Sequence, residues 1–223
     1  MGKHADFAPL LRFMQDVNRF GGNDECLYRG QKEDWELRPK IARSQPRLDP
    51  AKDERSMLDE LRRNLPAFRG TIPSNDWDLL ALAQHHGLAT RLLDWTRNPL
   101  AALYFAVASA PTPEQGPGVV WCFRPKKLDR VVDLDHETPF RQRRTRCFVP
   151  TTVSERIRAQ QGWFTIHYPT KEGARFVAMQ ADRRLRSRMQ KIVIANSDFA
   201  DIRYYLDHFG VNRASLFPDL DGL

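Results

Sequence analysis

The sequence predicts an α+β fold: a short mixed or antiparallel sheet flanked by helices, in a single domain over residues 1–223. Two observations predict it. Helix-spaced and strand-like runs interleave without repeating as strand–helix–strand units, which argues against a doubly wound parallel sheet. Apolar residues make up 41% of 223 residues, enough for one good core but short for two independent ones.

Taken in order, Phe7, Leu10, Leu11, Met14 and Val17 recur at helical spacing, so residues 6–18 read as an amphipathic helix ended by Gly21-Gly22-Asn23. Cys26-Leu27-Tyr28-Arg29-Gly30 reads as a short strand stopped by a glycine. Met57, Leu58, Leu61 and Leu65 mark a second helix that Pro66 closes. Ser74 is the expected cap of a third, with Asp76 and Asp78 favourable in its first turn and an end near Gly87. Thr90 to Trp95 is extended, and Asn98-Pro99 starts a helix through Leu100, Leu103, Tyr104 and Val107. Pro111 to Gly118 is a loop, followed by Val119 to Phe123 as a central strand. Val131 to Leu134, Gly162 to Ile166 and Ile192 to Ile194 are further strand candidates. Ser197 is the expected cap of a last helix carrying Ile202, Tyr205, Leu206 and Phe209, which Gly210 ends.

The cysteines, Cys26, Cys122 and Cys147, are odd in number and without CxxC spacing, which excludes a disulfide framework and a zinc ribbon and fits a reducing cytoplasm. No apolar run of about 18 residues exists, so no membrane span is expected. The first residues lack the apolar stretch of a signal peptide, and Asp6 stands where a myristoylation signal needs Ser or Thr. The formal charge of +7 suits an anionic partner such as nucleic acid or a nucleotide, as it suits a solvated arginine-rich surface.

No GxGxxG, Walker loop, HExxH or GxSxG is present. His85 and His86 are adjacent, so on a helix they point about 100° apart and cannot share a metal. Two segments carry more. In Tyr28-Arg29-Gly30-Gln31 an arginine at a strand end beside a glycine can meet a phosphate or carboxylate bidentately, or pair with a nearby aspartate for structure. In Gln84 to Ala106, Asp94, Trp95 and Thr96 stand just before a capped helix start, where free amides favour an anion. The plainer reading is that Asp94 caps the helix or pairs with Arg91 and that Trp95 is core. The candidate cofactor-binding residues are Tyr28, Arg29, Gly30, Gln31, Thr90, Arg91, Trp95 and Thr96. The basic runs at 141–146 and 183–188 offer Arg143, Arg144, Arg184 and Arg186 to a polyanion.

The chain resembles FRG-domain proteins, whose aromatic-Arg-Gly motif is matched by Tyr28-Arg29-Gly30. The most specific stretch runs from Gln84-His85-His86-Gly87 through Thr90-Arg91-Leu92-Leu93-Asp94-Trp95-Thr96, with Asn98-Pro99-Leu100 after it. Weaker matches are Ala159 to Thr165 and Leu216 to Leu223. The motif order is also similar to that of arginine-motif ADP-ribosyltransferases. Tyr28-Arg29-Gly30 looks like their first element, Leu93 to Thr96 with the helix ending Leu103 to Ala106 like the second, and Gln160 to Phe164 like the third. That resemblance implies NAD as substrate and a toxin or phage-defence effector modifying nucleic acid or protein, with an antitoxin protein as a partner to look for. It implies Arg29 on the phosphates or adjoining ribose, Gln160 on the nicotinamide ribose, Asp94 as the stabiliser of positive charge, and Trp95 or Tyr28 stacked on the nicotinamide. The departure is that no glutamate stands in the third element. A glutamine there can hold a hydroxyl but supplies no charge. The competing reading is a non-catalytic nucleic-acid- or nucleotide-binding module. A metal-dependent nuclease is disfavoured because no cluster of Asp and Glu has ligand spacing.

Overall fold

The computed structural model describes residues 5–21, 25–43, 50–68, 73–151, 154–169 and 176–218. Within them the chain forms α1 (Ala8–Gly21), β1 (Leu27–Gln31), α2 (Pro50–Phe68), α3 (Asp76–His85), β2 (Leu92–Thr96), α4 (Pro99–Val107) and β3 (Gly118–Phe123). It continues with β4 (Arg146–Phe148), α5 (Glu155–Ala159), β5 (Gly162–Ile166), β6 (Met189–Ile194), α6 (Phe199–His208) and α7 (Arg213–Leu216). The strands make one six-stranded sheet in the order β4-β5-β2-β1-β3-β6. Every pairing between these strands is antiparallel, so the fold is α+β as expected.

Strand alternation sends side chains to two covered faces. On one face Tyr28, Val120, Cys122, Ile192 and Ile194 pack under α1, α4 and α6. Leu92, Phe148, Phe164 and Ile166 pack on the same side with α2 and α3. On the other face Leu27, Leu93, Trp95, Val119, Trp121 and Phe123 are closed by Leu37, Met179 and Leu185 from irregular segments. The three cysteines are buried and unbridged.

The sheet is split at its centre. β1 pairs with β3 along all five of its residues but with β2 only at Tyr28 and Thr96. Had that ladder continued, Gly30 would oppose Asp94. Instead the Asp94 carbonyl accepts from the Arg29 guanidinium at 2.7 Å, a side chain spanning the gap. Gly30 has its own reason to be glycine. A Cβ there would lie 1.8 Å from the Ala102 carbonyl oxygen of α4, so α4 presses directly on the β1 backbone.

Several local expectations are corrected. α2 starts earlier and continues past Pro66, which falls in its last turn and leaves the Arg62 carbonyl without its helical donor. Asn75 rather than Ser74 caps α3, accepting from the Asp78 amide at 2.9 Å. Residues 131–134 are not a strand. Val131 and Leu134 are buried in the cluster with α2 and α3, Val132 is exposed, and a turn closes from the Glu137 amide to the Asp133 carbonyl. The end of the basic run at 141–146 instead opens β4. Ser197 sits in a single 3-10 turn and does not cap α6, which begins at Phe199, and α7 follows it. Gly210, at φ 74°, does terminate α6. Gly22, Asn23 and residues 219–223, on which parts of the expected signals fell, lie outside the described residues. Among the described residues no helix is long and apolar enough to cross a membrane.

Candidate functional site

Where β1 and β2 part, a cavity of about 620 Å³ opens. Arg29, Asp94 and Gln160, from three different segments, all line it. Tyr28, Gly30, Gln31, Trp95 and Thr96 line it too. Four cationic side chains, Arg29, Lys32, Arg43 and Arg156, face one carboxylate, Asp94. Aromatic rings supply much of the remaining wall: Tyr28, Trp35, Trp95, Phe105, Trp163 and Phe164. Cations with flat apolar surface suit a ligand that is part anion and part aromatic ring.

The Asp94 carboxylate is about half exposed and is held from two sides. Gln84 Nε2 donates to Oδ2 at 3.0 Å, and Arg29 Nη1 lies 3.5 Å from the same oxygen. Gln84 is itself fixed, because Thr90 Oγ1 donates to its Oε1 at 2.5 Å. Thr90 therefore acts behind the cavity wall through Gln84, rather than in it. Arg29 is the more buried partner. Burial disfavours its charged form, Asp94 favours it, and the nearby Arg43 adds repulsion.

Gln160 reaches the cavity through a tight reversal. Ser154 caps α5, and Gln161 then takes φ 47°, a left-handed conformation that strains a non-glycine residue by about 1 kcal/mol or more. This turns the chain straight into β5. The Gln160 carbonyl accepts from Thr96 Oγ1 at 2.6 Å, tying the turn to the end of β2. Its side-chain Nε2 donates to the Leu216 carbonyl at 3.0 Å. The Phe217 ring lies 4.3 Å from the Arg156 guanidinium and 5.9 Å from the Phe105 ring, so residues 216–217 brace one end of the cavity.

Trp95 is core and wall together. Its indole is buried, and Nε1 donates to Thr165 Oγ1 at 2.9 Å, which in turn contacts His167 Nε2 at 2.9 Å. Burial and the nearby Arg29 charge pull the His167 pKa down to about 3.

Other expected roles do not converge here. Arg91 is buried away from the cavity; its guanidinium pairs with Glu54, whose other oxygen accepts from the Arg91 amide at 2.6 Å. Asp94 neither pairs with Arg91 nor caps α4. Asn98 caps that helix, accepting from Leu100 and Ala101 amides at 2.9 and 3.3 Å, so those amides are not open to an anion. None of Arg143, Arg144, Arg184 and Arg186 lines the cavity. Arg144 donates to the Leu128 carbonyl at 2.7 Å, and Arg184 pairs with Asp182 and the Tyr168 hydroxyl. Among the described residues no group of three or more His, Cys, Asp or Glu could hold a metal.

Residues 24–115 match the model of the FRG domain family. The matched stretch runs from before β1 to beyond α4, so it contains Arg29, Gln84 and Asp94 and leaves Gln160 outside. It supports the FRG resemblance. No curated protein and no solved structure matches the chain. Sequence reasoning assigned no role to Gln84, although it opens the FRG stretch. Lys32, Trp35 and Arg43 lie in irregular chain after β1, and no periodicity marks them.

Proposed function

We propose that this chain is an NAD-dependent, ADP-ribosyltransferase-like enzyme whose substrate enters the cleft between β1 and β2. The observation that carries the reading is the convergence of Arg29, Asp94 and Gln160 on one cavity. The cationic and aromatic walls support a dinucleotide as ligand, with phosphates against guanidinium groups and a ring against Tyr28 or Trp95.

In such a reaction the bond between the nicotinamide nitrogen and the ribose carbon breaks, and its electron pair leaves with nicotinamide. Positive charge builds on the sugar until an acceptor oxygen or nitrogen attacks the same carbon and gives up its proton. Asp94, preorganised by Gln84 and Arg29, offers negative charge to that sugar. Gln160 offers its Oε1 to a ribose hydroxyl while Nε2 stays on Leu216. The acceptor class is nucleic acid or protein, and the toxin or defence role depends on which accepts.

A second reading, a nucleotide-binding module without turnover, is favoured by the uncharged Gln160 and by its tether to Leu216. Titration of the protein with NAD, followed by tryptophan fluorescence and by nicotinamide release, separates the two. Binding with release supports the enzyme. Binding without release supports the module, and no binding refutes the NAD reading.

A further inference from the structure

Residues 32–37 follow β1 as irregular chain, yet they are tied down along their length. The Lys32 carbonyl accepts from Gln115 Nε2 at 3.0 Å, and Asp34 pairs with Lys191 of β6 at 2.6 Å. Leu37 is fully buried, its amide donating to Gln180 Oε1 and its carbonyl accepting from the Met179 amide, both at 3.0 Å. Between these ties stands Trp35, which lines the cavity and is 47% exposed, against 7% for Tyr28 and 3% for Trp95. Among the described residues no other ring and no cation lies against the Trp35 ring. A braced segment thus holds a large, flat, apolar surface open at the cavity, and a planar ring is the shape that covers it.

Four positions earlier, Gln31 lines the same cavity with its side chain almost fully buried. Trp121 Nε1 donates to Gln31 Oε1 at 3.1 Å. An indole N–H can only donate, so the amide oxygen must face Trp121 and the Nε2 group must face away. Nε2 meets no acceptor among the described residues. A buried donor without an acceptor is costly, and a ligand atom that accepts from it removes the cost. A purely hydrocarbon ring covers Trp35 but leaves Gln31 unsatisfied. We propose that Trp35 and Gln31 form a ring subsite of the cleft, in which Trp35 stacks on a planar heterocycle and Gln31 Nε2 donates to a ring nitrogen or carbonyl oxygen on its edge. Adenine and nicotinamide both present such an acceptor. The function proposed above sets one ring of a dinucleotide against Tyr28 or Trp95, and Trp35 gives the other ring a more open face. That the ring belongs to a dinucleotide rests on that function; the ring chemistry of the subsite does not.

The test is calorimetric binding of NAD, of its halves adenosine monophosphate and nicotinamide mononucleotide, and of ribose 5-phosphate, which has the sugar and phosphate without a ring. The proteins are the wild-type chain, Trp35→Ala, Trp35→Phe and Gln31→Glu, which keeps an acceptor for Trp121 and replaces only the donor. Thermal melting serves as the fold check; should Gln31→Glu melt lower, the two Trp35 variants decide. The wild type should bind one mononucleotide about tenfold or more tighter than ribose 5-phosphate, and which one it is identifies the ring. Trp35→Ala should erase that preference and leave ribose 5-phosphate unchanged, and Trp35→Phe should recover part of it. Gln31→Glu should weaken the preferred mononucleotide by about fivefold or more beyond any change in ribose 5-phosphate. A ring preference that depends on both residues, with no binding of NAD, would keep the subsite and remove the dinucleotide. NAD binding that is indifferent to Trp35→Ala would overturn the subsite and leave the enzyme reading standing. A wild type that binds neither mononucleotide better than ribose 5-phosphate would overturn the subsite, and one that binds no nucleotide at all would overturn both.

Discussion

Asp94→Asn separates chemistry from stability in this cleft. The strand gap is spanned chiefly by the bond from Arg29 to the Asp94 backbone carbonyl at 2.7 Å, which the substitution leaves in place. What is lost is the charge, about half exposed and 3.5 Å from Arg29. A partly exposed ion pair of that kind contributes about 0–1 kcal/mol. A chain of this size loses about 2–4 °C in melting temperature per kcal/mol, so the variant should melt within about 4 °C of wild type. Gln84 can keep its bond by donating to the asparagine oxygen, so the side chain should stay in position. The same charge opposite an oxocarbenium-like sugar is worth about 3–4 kcal/mol, or roughly 10²–10³ in rate. Nicotinamide release should therefore fall by that factor while NAD affinity changes little. The assay is release rate and calorimetric affinity on the same preparation. A variant that melts many degrees lower, or one that turns over NAD as wild type does, refutes this account of Asp94.

Four further outcomes follow from particular contacts. Arg91→Met strands the buried Glu54 carboxylate and should destabilise the fold by about 3–5 kcal/mol in chemical denaturation, whereas an arginine that served a ligand would leave the midpoint unchanged. Gly30→Ala sets a Cβ against the Ala102 carbonyl and should cost about 3 kcal/mol; near-normal stability would show that α4 can yield. Because the folded-state pKa of His167 is lowered to about 3, unfolding takes up a proton below the ordinary histidine value near 6.5. Its contribution is full above about pH 6.5 and is lost by about 1.4 kcal/mol per unit as pH falls toward 3, and His167→Asn should remove that part of the slope in stability measured against pH. If the basic surface binds a polyanion, replacing Arg143, Arg144, Arg184 and Arg186 by Glu should weaken RNA or DNA binding and flatten a salt dependence of about −0.7 to −0.9 per phosphate; no binding at low salt would leave that surface merely solvated.

Much of this fold is legible because local chemistry and tertiary structure agree. β-prone residues at 119–123 pack on both sheet faces, and Asn98-Pro99 both caps and starts α4. Arg29 and Asp94 of the cleft were legible as well, since they stand in polar positions within apolar runs. Their arrangement was not. The split between β1 and β2 is a matter of register, and no residue type announces where a ladder stops. Arg29 does more than line the site: its guanidinium stands in for the missing ladder bond, so Arg29→Ala disturbs the fold as well as the site. Arg91 looked like a ligand residue because its partner, Glu54, lies 37 positions away on α2. Lys32, Trp35 and Arg43 escaped because irregular chain carries no period; burial of Ile41 and Leu37 and the bond from the Ile41 amide to the Thr90 carbonyl bring that segment to the cleft.

The central claim is that NAD is turned over in the cleft between β1 and β2. The most direct test is incubation of the wild-type chain and Asp94→Asn with NAD labelled on its adenylate half, together with RNA, DNA and cell extract, followed by separation of covalently labelled macromolecules. The account predicts label joined to one class of acceptor by the wild type and a loss of roughly 10²–10³ in rate with Asp94→Asn. A wild-type chain that binds NAD yet labels nothing and releases no nicotinamide would contradict it.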